Sequence, residues 1–172
     1  MPTFNAPSRC SSGTPHTFHW FDSSGPCVGD ALDAATEIFL RAIDGPSRRW
    51  NPYNAAMARS EFRKRVELAA KGGLKPRQQV KPVDVRNPPP LYELRWQGIS
   101  VTEVDAQSKQ RHRKILVRMY HSEPAGAPAH FIGHHIEEKA ITERTRELQD
   151  AAIARAKHSY HQGEASRWGI EL

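Results

Sequence analysis

The chain has 172 residues, of which 38% are hydrophobic and 26% charged, so it is long enough for one domain with a modest core. No run of residues approaches the ~18 consecutive apolar side chains of a membrane span. The first residues, MPTFNAPSRCSSG, also lack the apolar segment of a secretory signal. We therefore expect a cytoplasmic protein with no membrane partner.

The net charge is +6 and the sequence pI is about 9.6. A basic surface favours polyanions, above all nucleic acid, although a basic protein without such a partner has the same composition. The two cysteines, Cys10 and Cys27, show no CxxC spacing and indicate neither a metal site nor a disulfide framework.

The first half of the chain predicts one strand and two helices. Residues 1–14 are interpreted as a flexible extension, and HTFHWFDSS (16–24) as a strand. A helix is expected over 30–44 and a second over 53–71, because apolar residues recur at helical spacing in both. Asn51 followed by Pro52 is a typical start for the second helix.

The second half predicts three strands and a helix. Strands are expected at LYELRW (91–96), KILVRMYHS (114–122) and HFIGHHI (130–136), with an exposed loop over 102–113. A proline-rich connector precedes them, and a terminal helix is expected at about 140–161. Strands joined by short connections pair antiparallel, so we predict an α+β fold. An N-terminal strand and a helical hairpin pack on a small, mainly antiparallel sheet, and a C-terminal helix follows.

The stretch AHFIGHHIEEKA (129–140) contains a cluster of ionisable groups. Strict alternation along a strand places His130 and His134 on one face, ~13 Å apart, and His135 on the other face. One metal ion cannot bind both residues of the same-face pair, so we predict no metal here. Adjacent histidines at a strand end suit acid–base roles, although for either one singly a packed or exposed side chain is an equal alternative.

Three segments resemble the RelE/ParE superfamily, in particular the HigB-like, phage-derived branch of type II toxin–antitoxin systems. They are LYELR (91–95), KILVRMYHSEP (114–124) and HFIGHHIEEK (130–139), in that order after a helical hairpin. The resemblance implies one RelE-like toxin domain over 15–172. The chain departs from the family in its loop at 102–113 and in EEK, which replaces the paired lysines common after the last strand.

The resemblance implies an endoribonuclease that cleaves mRNA, during translation on the ribosome, by attack of a 2′-OH on the adjacent phosphodiester. An acidic or helix-turn-helix antitoxin would neutralise it, and no metal or other cofactor is required. The candidate catalytic residues are Arg95, His134, His135 and Arg118. The candidate RNA-binding residues are Lys139, His121, Lys114 and Arg113. The alternative is a non-catalytic protein of the same fold that binds a nucleic acid, a host protein or a phage assembly.

Overall fold

The structure is a computed structural model, and it describes residues 6–84 and 89–171. The three α-helices are α1 (Ala31–Ala42), α2 (Pro52–Ala70) and α3 (Thr145–Gly163), and 3-10 turns lie at Arg9–Ser11 and Glu164–Gly169. The strands are β1 (Thr17–Asp22), β2 (Gly25–Pro26), β3 (Arg48–Arg49), β4 (Val80–Asp84), β5 (Leu91–Val104), β6 (Gln110–Ser122) and β7 (His130–Glu138). The α+β class is therefore confirmed.

The strands form one sheet in the order β2-β1-β7-β6-β5-β3, and β4 also pairs with β5. All named strand pairs are antiparallel except β1 with β7, which are parallel. The prediction of a mainly antiparallel sheet is confirmed. The sheet has more strands than the sequence indicated, because β2 and β3 are only two residues long and β4 lies in the proline-rich connector.

The predicted exposed loop over 102–113 is wrong for most of its length. β5 and β6 continue through it as a hairpin, with Thr102 opposite His112 and Val104 opposite Gln110. The Asp105 carboxylate closes the turn by accepting the backbone N–H groups of Gln107 and Lys109, each at 2.9 Å. The β6 side of this hairpin, residues 110–114, is exposed, so its polar composition resembles that of a loop.

The helical hairpin covers one face of the sheet, here called the hairpin face. Asp30 and Asn51 cap α1 and α2 by accepting backbone N–H groups, each at 2.8 Å. Between the helices and the sheet, the rings of Phe39, Phe62 and Trp96 stack with centroids 4.5 and 4.9 Å apart. These aromatic rings bury large apolar areas, so they fix the helices on the sheet.

The opposite face, here called the α3 face, is covered by α3. Ala152 and Ala156 are fully buried in a cluster with Leu91 and Tyr120 of the sheet. The molecule therefore has three layers, with the central strands covered on both sides. None of the helices in the described part of the chain has the length and apolar character that a membrane span requires.

The interpreted extension 1–14 lies partly outside the described residues, which begin at residue 6. Within the described part, Arg9–Ser11 form a 3-10 turn whose Cys10 is fully buried against the sheet.

Arg48 joins four segments at the end of the sheet. Its guanidinium group donates to Glu103 at 2.8 Å, to Glu138 at 2.8 Å and to the carbonyl of Ile43 at 2.9 Å. The Arg48 side chain is only 8% exposed, so its charge depends on these partners.

We expect Arg48→Ala to lower the free energy of unfolding by about 2–3 kcal/mol, because two partly buried carboxylates lose their buried cation and keep only the exposed Arg113. The cost stays below that of a fully buried pair because both glutamates are about a quarter exposed. Denaturant unfolding measures it. The matched control is Arg49→Ala, an exposed neighbour bonded only to carbonyl groups, which should change stability by no more than about 0.5 kcal/mol. Equal effects of the two substitutions would contradict the role of Arg48.

Candidate active site on the α3 face

Six polar side chains form two rows across the central strands, on the α3 face. The register places Glu93, Tyr120 and His135 side by side in one row, and Arg95, Arg118 and Glu137 in the next. We call these six residues the polar surface. Alternation explains the arrangement, because the neighbouring Leu94 and Met119 point into the core beneath the hairpin.

The polar surface is bound together by ion pairs and hydrogen bonds. Glu93 Oε1 lies 3.1 Å from Arg95 Nε and 3.7 Å from Arg118 Nε. The Tyr120 hydroxyl donates to Glu137 Oε1 at 3.0 Å, and His135 Nε2 lies 4.0 Å from Glu137 Oε2. One carboxylate thus lies between two guanidinium groups, and the other lies between a phenol and an imidazole.

Burial divides the polar surface into a covered and an accessible part. Glu93 and Arg118 are each 3% exposed, whereas the side chains of Arg95, His135 and Glu137 are 20%, 24% and 19% exposed. A ligand reaches the second group more readily than the first.

Four atoms of the polar surface are buried without a hydrogen-bond partner among the described residues. They are Glu93 Oε2, Arg95 Nε, Arg118 Nε and His135 Nε2. The Arg95–Glu93 contact is therefore a charge contact rather than an aligned hydrogen bond. Buried polar groups normally find partners, and a cluster of exceptions marks a place where function outweighs stability.

Burial and neighbouring charge shift the protonation equilibria of this surface. Burial, followed by the charge of Arg155, lowers the pKa of His135. Burial raises the pKa of Glu137, although the hydroxyl of Tyr120 opposes the change. Burial, followed by repulsion from Arg95, lowers the pKa of Arg118. These opposite shifts bring the pKa values of the imidazole and the carboxyl closer together, which suits proton transfer between the two groups.

A bulge in β7 corrects the predicted separation of His134 and His135. Tyr120 of β6 pairs with His135, but the next residue, His121, pairs with Gly133, so His134 has no partner in β6. Strict alternation fails at this point. The ring of His134 contacts Tyr160 of α3 and that of His135 stacks on Tyr120, so both histidines lie on the α3 face.

His134 is fixed by two hydrogen bonds in the interior. Its Nδ1 lies 2.8 Å from the carbonyl oxygen of Phe21, so Nδ1 carries the hydrogen. Its Nε2, also at 2.8 Å, accepts from the hydroxyl of Ser122. Burial lowers the pKa of His134 to about 4, so the ring is neutral at physiological pH. Both nitrogens are engaged, which leaves His135 as the adjacent histidine with an unpartnered nitrogen.

The depressed pKa of His134 predicts an acid-sensitive fold. The folded state resists protonation that the unfolded state accepts near pH 6.5, so stability is present above about pH 6.5 and is lost as the pH falls towards 4. The loss assigned to His134 is about 3 kcal/mol. Urea unfolding across this range should show a weaker pH dependence in His134→Gln than in the wild type.

The control for this measurement is His158→Gln, because the side chain of His158 is exposed on α3. It should keep the wild-type dependence on pH. An undiminished acid loss in His134→Gln would show that other groups cause it.

A cavity of about 420 Å³ adjoins the polar surface at the point where β1 ends and β7 continues. It lies between α1 and α3, and its polar lining includes Asp22, His134, His135, Arg155 and His158. His135 therefore belongs to both the cavity and the polar surface.

The other residues predicted from the sequence lie at different places. By alternation along β6 and β7, Lys114 and Lys139 lie on the α3 face, as Arg118 does. They are nearer than Arg118 to the turn between β5 and β6. Arg113 lies on the hairpin face and pairs with Glu103 at 3.0 Å and Glu138 at 3.5 Å. His121 also lies on the hairpin face and is fully buried, so the predicted approach of His121 to the polar surface is wrong.

The sequence analysis did not select Glu93, Tyr120 or Glu137. A signal for two of them was present, because alternation puts Glu93 on the face of Arg95 and Tyr120 on the face of Arg118. Glu137 was considered only as part of EEK, the departure from the paired lysines of the family, whereas its carboxylate accepts a hydrogen bond from Tyr120.

Comparisons with protein-family models, with curated proteins and with solved structures found no match to this chain. The likeness to RelE/ParE toxins therefore rests on the motifs of residues 91–95, 114–124 and 130–139.

Proposed function

We propose that this protein is a metal-independent endoribonuclease that acts as the toxin of a toxin–antitoxin module, with the polar surface as its active site. The observation that supports it best is the juxtaposition of two guanidinium groups with a partly exposed imidazole in adjacent rows of three central strands. Cleavage of RNA by its own 2′-OH needs a base for that hydroxyl and cations for the charge that develops on phosphorus.

His135 takes the role of general base in this proposal. It is neutral at pH 7 because burial lowers its pKa, and its Nε2 has no hydrogen-bond partner among the described residues. The proton taken from the 2′-OH passes to the departing 5′ oxygen, either from His135 itself or through Glu137, whose pKa is raised and whose Oε2 lies 4.0 Å from His135 Nε2. His134 fixes the bulge that presents His135.

Arg95 takes the role of the phosphate clamp, because its fork of donors matches two phosphate oxygens. In the absence of RNA its charge is satisfied by Glu93 and by the carbonyl of Arg77, at 3.1 and 3.0 Å. A phosphate group competes with these partners for the Arg95 side chain, which is 20% exposed. Arg118 is more deeply buried and adds positive potential beside Arg95. Lys114 and Lys139 lie on the same face, and we call these four residues the basic track.

The expected partners follow from the charge and from the proposed reaction. A net charge of +6 favours mRNA and the ribosome, and it also favours an acidic or helix-turn-helix antitoxin that covers the basic track. No cofactor is needed.

Arg95→Ala should lower the rate of RNA cleavage by about 10²–10³-fold, because the transition state loses one charge-stabilising donor. Arg95→Lys should restore only part of this loss, since an ammonium group cannot hold two oxygens at once. Mapping of RNA 5′ ends, on naked RNA and on translating ribosomes, measures the rate.

The matched control is Arg59→Ala, which removes an exposed arginine of α2 that pairs with Glu37 at 2.7 Å. It should cleave RNA at the wild-type rate. New RNA ends that persist undiminished in Arg95→Ala would refute the assignment of this site.

The pH dependence of cleavage tests His135. A base must be deprotonated, so the rate should fall with decreasing pH through an apparent pKa below the usual ~6.5 of histidine. His135→Ala should remove this acid limb and lower the rate by about 10²–10⁴-fold. His112→Ala, in the solvated part of the β5–β6 hairpin, should keep the acid limb. An acid limb unchanged in His135→Ala would contradict the role.

A non-catalytic binding protein is the second candidate, and the burial of Glu93 and Arg118 at the centre of the polar surface supports it. Glu93 and Arg118 are 3% exposed, so an RNA phosphate reaches Arg95 more easily than the centre of the surface. This candidate predicts association with RNA that weakens steeply with salt and produces no new RNA ends. Absence of cleavage by the wild type on translating ribosomes as well as on naked RNA would favour it.

A further inference from the structure

Cys10, His121 and Glu123 form a buried cluster on the hairpin face of the sheet, away from the polar surface. Their relative exposures are 0%, 0% and 4%. His121 is near the end of β6 and Glu123 follows two positions later, so both side chains point to the same side of the strand. Cys10 comes from the 3-10 turn at Arg9–Ser11, more than 100 residues earlier in the chain.

The three donor atoms converge on one point. Cys10 Sγ lies 3.8 Å from His121 Nε2, which lies 3.0 Å from Glu123 Oε1, and all three donors lie within 4.8 Å of one another. Tetrahedral zinc with ordinary bond lengths holds sulfur, nitrogen and oxygen donors about 3.3–3.6 Å apart. The donors therefore need to shift by only a few tenths of an ångström along the two measured edges.

The surroundings hold these donors in place. The carboxylate of Glu123 accepts a hydrogen bond from the Ser8 hydroxyl and, at 2.7 Å, one from the backbone N–H of Arg9. The Arg9 guanidinium group donates to four carbonyl oxygens of the segment between β6 and β7, those of Glu123, Pro124, Ala127 and His130. The turn that carries Cys10 is thus fastened next to His121 before any ion binds.

We propose that Cys10 Sγ, His121 Nε2 and Glu123 Oε1 bind one Zn²⁺ ion as a structural site. Thiolate, imidazole and carboxylate are the three ligand types that zinc prefers in proteins, and the two anionic ligands balance its charge. A water molecule, or the Ser8 hydroxyl beside Glu123, completes the tetrahedron. Binding releases the thiol proton. The hydrogen that His121 Nε2 donates to Glu123 moves to Nδ1, or is released if the ring is doubly protonated, so that Nε2 can coordinate.

The site joins the N-terminal turn to the end of β6. Zinc that binds only the folded arrangement adds its binding free energy to the stability of the fold. The ligands lie on the opposite face of the sheet from Arg95 and His135, so the site does not depend on the proposed ribonuclease activity.

The zinc content of the wild type and of two cysteine variants tests the proposal directly. Protein purified without chelator should contain about one zinc per chain by elemental mass spectrometry. Cys10→Ser should lose it, since a serine hydroxyl is a poor replacement for a thiolate. The matched control is Cys27→Ser, because Cys27 is half-buried and its thiol, which donates to the carbonyl of Gly29, is not part of the Cys10–His121–Glu123 cluster. It should retain the zinc.

A second measurement uses the wild-type protein, so its result does not depend on whether a variant folds. Chelator-treated wild type is titrated with Co²⁺, which should produce a thiolate-to-cobalt charge-transfer band, and with Zn²⁺, which should raise the melting temperature by several degrees. Wild type that is purified without zinc, shows no cobalt band and melts at the same temperature with and without Zn²⁺ would overturn the proposal. The cluster would then be a hydrogen-bonded network only. Equal loss of zinc in Cys10→Ser and Cys27→Ser would also overturn it.

Discussion

The pairing register of β5, β6 and β7 determines which side chains reach each face of the sheet. Leu94, Met119 and Ile136 form an apolar row whose positions along the strands alternate with the two rows of the polar surface. Their side chains point to the opposite face and are buried beneath α1 and α2. A slip by one residue in any of these strands would exchange its faces. It would move charged side chains under α1 and α2 and apolar ones under α3. The burial of this apolar row therefore holds the candidate active site in register, although none of its residues has a chemical role there.

The polar surface carries an electrostatic cost. Glu93 and Arg118 are almost completely buried, and removing such charges from water costs several kcal/mol that their mutual attraction does not fully return. The second carboxylate oxygen of Glu93 adds to this cost because it has no hydrogen-bond partner in the described part of the chain. Apolar residues would stabilise the same positions better, so stability does not explain the choice of residues. A requirement for positive potential beside Arg95 would explain Arg118, whereas the carboxylate of Glu93 holds the two guanidinium groups next to each other.

Local patterns in the sequence predicted much of the fold and part of the site. Alternation in LYELRW separates Arg95 from Leu94 and Trp96, and alternation in β6 separates Arg118 from Val117 and Met119; in the structure these four apolar residues lie in the core. The bulge at His134 was not predictable, because it is defined by the partner strand rather than by any residue in HHI. The contact of Cys10 with His121 was missed for a similar reason. It joins distant segments, and the residues around Cys10 resemble an unstructured leader.

The parallel pairing of β1 with β7 has a consequence for the order of events during synthesis. Phe21 and His134 are hydrogen-bonded although 113 residues separate them in the chain. A ribosome therefore releases β1, α1 and α2 well before the strand that completes their sheet, and Trp20 and Phe39 remain without most of their packing partners in the interval. Such distant contacts slow folding because a long loop must close before they form. The nascent chain acquires its central strand last, which makes the newly synthesised N-terminal half a natural substrate for chaperones.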